Sequence, residues 1–141
     1  MRTIVKILGL AFLALSLAAC ATMQASKAPS ADLSKIKTVY VQKLEGDGYN
    51  VYQVITDQLK AKGFNATTGT SADPPEPVDA IVTYVDRWMW DLSMYMVRLN
   101  IQVRDGKTRA ILASGESYRP SLQRRSKEEM VAETLDAIFK Q

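Results

Sequence analysis

Apolar and polar positions follow two periods along this chain, and the switch between them marks its elements. Thr38–Gln42 (TVYVQ) is a β-branched and aromatic run and predicts a strand. Gly46 and Gly48 break it. Tyr49–Lys62 then sets Val51, Tyr52, Ile55 and Leu59 on one helical face, and Gly63 is the stop. Phe64–Thr68 is a short strand, and strand–helix–strand implies a right-handed crossover. Thr70–Pro77 (TSADPPEP) reads as a Pro-rich surface loop. Asp79–Trp90, Met94–Asp105 and Arg109–Tyr118 predict three strands in a meander. Ser126–Lys140 is a helix, opened by a Ser126/Glu129 capping box and striped by Val131, Leu135, Ile138 and Phe139. The expected fold is α+β in two layers: a mostly antiparallel sheet of 4–5 strands with two helices on one face, in β-α-β-β-β-β-α order.

The alternation also argues register. Tyr95, Val97, Leu99, Ile101 and Val103 share one face, and Val82, Tyr84, Trp88 and Trp90 share one face of the preceding strand. A turn through residues 91–94 sets Trp90 opposite Tyr95 and Val82 opposite Val103. A one-residue slip would separate the two apolar sets. With Gly106-Lys107-Thr108 as the next loop, Ile111, Ala113 and Gly115 turn inward and Glu116 lies across from Arg98.

The start of the chain has a different logic. Met1–Lys6 carries two cations and no acid, and Ile7–Ala19 is an uncharged apolar run. That is the layout of a secretory signal peptide. Leu17-Ala18-Ala19-Cys20 follows it and resembles the lipobox of bacterial lipoproteins. The resemblance implies that diacylglycerol alkylates the Cys20 thiol, that a signal peptidase cuts between Ala19 and Cys20, and that the new amino group can be acylated. At about 0.8 kcal/mol per buried methylene, two or three chains anchor stably where one does not. Ala21 stands where an Asp favours inner-membrane retention, so the resemblance places the protein on the periplasm-facing side of the outer membrane in a Gram-negative host. In another host it would lie on the outer face of the cytoplasmic membrane. Two other readings are a plain membrane-spanning anchor, which needs about 20 apolar residues, and a conventional signal peptide that leaves Cys20 as a thiol.

Residues 21–34 (ATMQASKAPSADLS) are small and polar with no periodicity, and read as a flexible tether. The expected organisation is a signal peptide over 1–19, lipidated Cys20 and tether over 20–34, and one domain over 35–141.

Composition narrows the chemistry. The chain has no His and one Cys. A His–Cys zinc site, a Ser-His-Asp triad and an intrachain disulfide are excluded. No phosphate loop or metal spacing is present. The net charge of +3 falls once Arg2 and Lys6 are removed: 16 cations face 15 acids, a net +1. A nucleic-acid partner loses its electrostatic basis.

Three features remain as candidates. The Trp88–Met96 hairpin gathers Trp88, Met89, Trp90, Leu92, Met94, Tyr95 and Met96, of which Trp88, Trp90, Met94, Tyr95 and Met96 are the candidate surface. Its strands, near twelve residues, extend about 40 Å, whereas a fourteen-residue helix covers about 21 Å. Two readings stand: Trp88 and Trp90 fill the core beneath the helix ends, as large aromatics mostly do, or the tip overhangs as a surface for a partner or apolar ligand. Asp86 falls in the inner apolar stripe opposite Leu99; a bulge, an Arg partner or exposure at the sheet end accounts for it more readily than a functional buried acid. Residues 87–127 hold nine Lys or Arg against three acids. Among them, Arg87 and Arg98 share the outer sheet face with Arg104, and Arg124 and Arg125 lie in a loop with Arg119 and Lys127. Lipid phosphates would fit this charge, and so would a plainly solvated surface.

The function expected is that of a non-enzymatic, membrane-anchored envelope lipoprotein, binding or helping assemble another envelope protein. The alternative is a carrier or chaperone for anionic lipid or glycolipid. No cofactor or metal is expected beyond the covalent lipid on Cys20. A carboxylate hydrolase lacks a paired set of acids. The element order is similar to that of small periplasm-facing accessory lipoproteins, which implies fold and location but transfers no binding residue.

Overall fold

In the computed structural model, which describes Met1 and residues 20–140, a mixed sheet of six strands carries two helices. The strands are β1 (Thr22–Lys27), β2 (Thr38–Gln42), β3 (Asn65–Gly69), β4 (Ala80–Asp91), β5 (Ser93–Asp105) and β6 (Ile111–Tyr118), and the helices are α1 (Val51–Ala61) and α2 (Lys127–Phe139). Their order across the sheet is β1-β6-β5-β4-β2-β3, with β2 parallel to β3 and β4 and the other neighbours antiparallel. The α+β class is as expected. The sheet differs in having six strands rather than 4–5.

The extra strand comes from the expected tether. Residues Thr22–Lys27 pair with β6 from Thr22 opposite Tyr118 to Lys27 opposite Ala113. The segment lacks an apolar period because, as an edge strand, it is held by backbone hydrogen bonds and leaves most of its side chains in solvent. The flexible stretch therefore cannot run through 20–34.

Local chemistry explains both helices. In α1, Val51, Ile55 and Leu59 are fully buried, each worth about 1.5–3 kcal/mol of apolar burial. Its preceding residue Asn50 is left-handed (φ 57°) and makes no side-chain cap. Asp47 takes over that task, accepting the Tyr49 amide at 3.0 Å and the Tyr52 amide at 3.1 Å. The helix ends in a Schellman turn: Gly63 (φ 96°) donates to the Lys60 carbonyl at 3.0 Å, and Phe64 to the Leu59 carbonyl at 3.1 Å. In α2, Ser126 and Glu129 form the expected capping box.

Both helices pack on one sheet face, over a core that includes Val39, Val82, Leu99, Ile101, Val103, Met130 and Leu135. A Cβ on Gly115 would come within 2.9 Å of Ile138 and 3.0 Å of Thr134, so α2 lies directly against β6 at that point. The Pro-rich loop bears on the opposite face, where Tyr40 is buried and its hydroxyl donates to the Ser71 carbonyl at 2.9 Å.

The register holds at the base of the long hairpin and shifts near its tip. Val82 pairs with Val103 as expected, but Trp90 pairs with Met94, not Tyr95. A bulge lies between Arg87 and Trp88, where Arg87 opposes Arg98 but Trp88 opposes Met96. Val97 is the extra residue, and every β5 side chain before it changes face. Met96 turns into the core and Tyr95 to the outer side. A second bulge beside Val103 sets Ile111 opposite Arg104. Ile111 is exposed, contrary to expectation, whereas Ala113 and Gly115 face inward.

Candidate functional site

The β4–β5 hairpin outruns the rest of the sheet. On one side, β2 accompanies β4 only as far as Val82; on the other, β6 ends at Tyr118 opposite Arg98. The tip residues beyond these points have no strand beside them. Leu92 sits at the apex with a left-handed backbone (φ 61°) and is 91% exposed. Trp90 is 70% exposed, and Met89 and Met94 are exposed beside it.

The two tryptophans behave differently. Trp88 is half-buried. Its ring stacks on Tyr49 (centroids 3.8 Å apart), and its indole N–H donates to Asp86 Oδ2 at 2.6 Å. The core alternative thus describes Trp88, and the overhang describes Trp90. Asp86 does stand opposite Leu99, and its carboxylate accepts the Trp88 indole N–H.

Two other candidates are not at the surface. Met96 is 1% exposed and belongs to the core. Tyr95 is 8% exposed, covered by the Arg124 guanidinium 4.5 Å from its ring centroid. The Val97 bulge is the reason in both cases.

The arginines are largely engaged. Arg124 donates to the Asp91 carbonyl at 3.0 Å, Ser93 Oγ at 2.9 Å and the Ser121 carbonyl at 3.0 Å. It thereby ties the short 3-10 turn Ser121–Gln123 to the hairpin tip; Ser121 also donates to the Asp91 carboxylate. Arg119 pairs with Glu133, and Arg125 lies 4.0 Å from the same carboxylate. Burial opposes ionisation of Glu133, but the bonds from Arg119 and Ser117 outweigh it and hold the carboxyl below its ordinary range. Arg98 bonds Glu116 at 2.6 Å, diagonally, since Glu116 stands opposite Asn100. Arg87 is exposed beside Arg98.

Cys20 is exposed and sits at this same end of the sheet. It precedes Thr22, which lies in a row with Tyr118 and Arg98. The next residue, Ala21, donates its amide to Gln123 Oε1 at 2.8 Å. That turn also carries Leu122, 99% exposed. Sequence pattern does not single out Leu122 or Gln123; the local signal is a lone Leu in the polar run RPSLQRRSK. The Ala19 side of the expected cleavage, with the signal segment, lies outside the described residues.

An open groove of about 450 Å³ on the outer sheet face is lined by Gln42, Leu44, Val85, Asn100, Gln102 and Arg104. Among the described residues, no three His, Cys, Asp or Glu side chains come together as a metal site, and no helix is long and apolar enough to cross a membrane.

No family model matches the chain, and no curated protein matches it. Solved structures do. The PelC dodecamer from Paraburkholderia phytofirmans superposes with a TM-score of 0.62 at 14% identity, over 84% of this chain and 98% of that one. A point variant of the same dodecamer gives 0.63 at 13% identity, with the same coverage. A PDZ domain protein from Parabacteroides distasonis gives 0.51 at 10% identity, over 79% of this chain and 33% of that one. At such identities the likeness is one of fold, and in fold this chain is similar to PelC.

Proposed function

We propose that this chain is a lipid-anchored envelope lipoprotein whose domain is a non-enzymatic binding or assembly module for another envelope component. The observation that carries the reading is the LAAC sequence at residues 17–20, preceded by a basic start and an apolar run. The exposure of Cys20 beside the domain is compatible with an acylated residue there. In a Gram-negative host, Ala21 favours the outer membrane. The exposed hairpin end, with Trp90, Leu92 and Met94, is an apolar surface open to contact. Because the similar PelC structures are dodecamers, a second copy of this chain is among the partners to test.

The carrier reading has weaker support. Side chains fill the layer between sheet and helices, and the grooves are open and partly polar.

Metabolic labelling with palmitate tests the anchor. Label is expected in the wild-type chain and absent after Cys20→Ser; equal label in both rejects it. Crosslinking in cells, followed by identification of the captured proteins, tests the module. A specific envelope protein or a second copy is expected, and capture of neither rejects the module.

A further inference from the structure

Five large apolar side chains stand exposed around one end of the sheet: Met89, Trp90, Leu92 and Met94 on the hairpin and Leu122 on the adjoining turn. Cys20 emerges at that end, one residue from an amide bonded to Gln123 of the same turn. No tether separates it from β1. Resting on the acylation of Cys20 proposed above, we infer that the hairpin end is a membrane-docking surface: it seats in the interfacial layer of the bilayer that holds the acyl chains.

Length supports this occupant over a protein partner. From the Thr22–Tyr118–Arg98 row, Leu92 lies six residues further along β5, one of them the bulged Val97, or about 17 Å at 3.4 Å per advancing residue. Cys20 lies two residues beyond the same row, or about 7 Å. The tip therefore reaches about 10 Å past Cys20 with the strands upright, and less with them tilted. Interfacial segments sink about 5–10 Å. A domain held this short cannot lift its tip clear of the lipid unless it tips over. The chemistry fits: Trp90 is an amphipathic ring suited to the headgroup level, and Leu92, Met94 and Leu122 suit the acyl boundary. Asp91 is the acid at the tip, and Ser121 and Arg124 hold it.

The two tryptophans allow a direct test. In Trp88→Phe, which keeps a ring against Tyr49, Trp90 is the sole reporter. The full-length precursor carrying this change is expressed in a lipoprotein-processing host. The mature product is reconstituted into vesicles of phosphatidylethanolamine and phosphatidylglycerol, and mass spectrometry of that sample reads lipid on Cys20. Brominated acyl chains should quench Trp90, its emission should shift to the blue, and acrylamide should lose access. In a second variant, Leu92→Asp with Leu122→Asp on the same background, quenching by brominated lipid should fall about tenfold with an unchanged circular dichroism spectrum. Asp tolerates the left-handed backbone at 92.

Lipidated protein whose Trp90 stays open to acrylamide, with no quenching by brominated lipid, overturns the inference. So does shielding from acrylamide without such quenching, which would mean that a second copy covers the tip. A product without lipid defeats the anchor reading instead. Added to the same vesicles, that product decides the docking separately: quenching of Trp90 by brominated lipid sustains it, and none overturns it.

Discussion

The Arg124 guanidinium lies over the Tyr95 ring, 4.5 Å from its centroid, while its nitrogens reach the Asp91 carbonyl and Ser93 Oγ on either side of the hairpin apex. One side chain thus clamps both strands of the overhang and binds them to the turn at 121–123. The contact exists because the bulge at Val97 turns Tyr95 to the outer side.

Arg124→Ala should loosen the tip without unfolding the domain. Global stability is expected to fall by about 1 kcal/mol, since the pair is part-exposed. Amide exchange at residues 91–95 should quicken far more than in β6. Arg124→Lys should resemble Ala here, because an ammonium cannot reproduce the planar fork. Hydrogen exchange read by mass spectrometry checks both.

Gly115→Val should strain the contact between β6 and α2. Even a Cβ would meet Ile138 at 2.9 Å, and overpacking of this kind costs about 1–3 kcal/mol. Urea unfolding should show a lower midpoint with an unchanged slope.

The Asp47–Tyr84 pair should set part of the acid sensitivity. Tyr84 donates to Asp47 at 2.6 Å. Burial disfavours the Asp47 anion, but the bonds from Tyr84 and the amides of Tyr52, Val51 and Tyr49 outweigh it, leaving the pKa below the ordinary 3.8. A depressed carboxylate contributes stability that is full well above its unfolded value and fades as pH falls below it towards the folded one. Asp47→Asn should therefore be less stable than wild type at pH 7 and should lose less on going below pH 3.8. Tyr84→Phe should cost about 1–3 kcal/mol at neutral pH, since it leaves a buried carboxylate short of a donor. Thermal unfolding across pH 2–7 measures both.

Removing β1 should reveal its structural part. A chain beginning at Ala28 should lose about 1–3 kcal/mol, the net of the lost ladder and the entropy recovered. It should also associate through the uncovered β6 edge. Were residues 22–27 a passive tether, the truncation would change neither the urea midpoint nor the sedimentation profile.

Much of this architecture follows from local pattern alone. The β2–α1–β3 unit, the three long strands and the capped C-terminal helix are legible because each buries one face. Burial writes a period of two or of 3.6 into the chain, and Ser126, Glu129 and Gly63 mark the ends by satisfying backbone groups locally. The basic start, the apolar run and Leu17-Ala18-Ala19-Cys20, on which the proposed anchor rests, are likewise contained in residue order.

Tertiary structure decided what periodicity does not encode. β1 joins the sheet because β6 offers an open row of backbone partners, a long-range event that TMQASK does not announce. Val97 is an ordinary apolar residue in the alternation; only its extra place opposite Arg87 and Trp88 sends Met96 inward and Tyr95 outward. Leu122 becomes notable because Arg124, Ser121 and Ala21 draw its turn to the hairpin. Side-chain period reports which face of an element is dry. Partners, bulges and neighbours depend on contacts made between residues far apart in the chain.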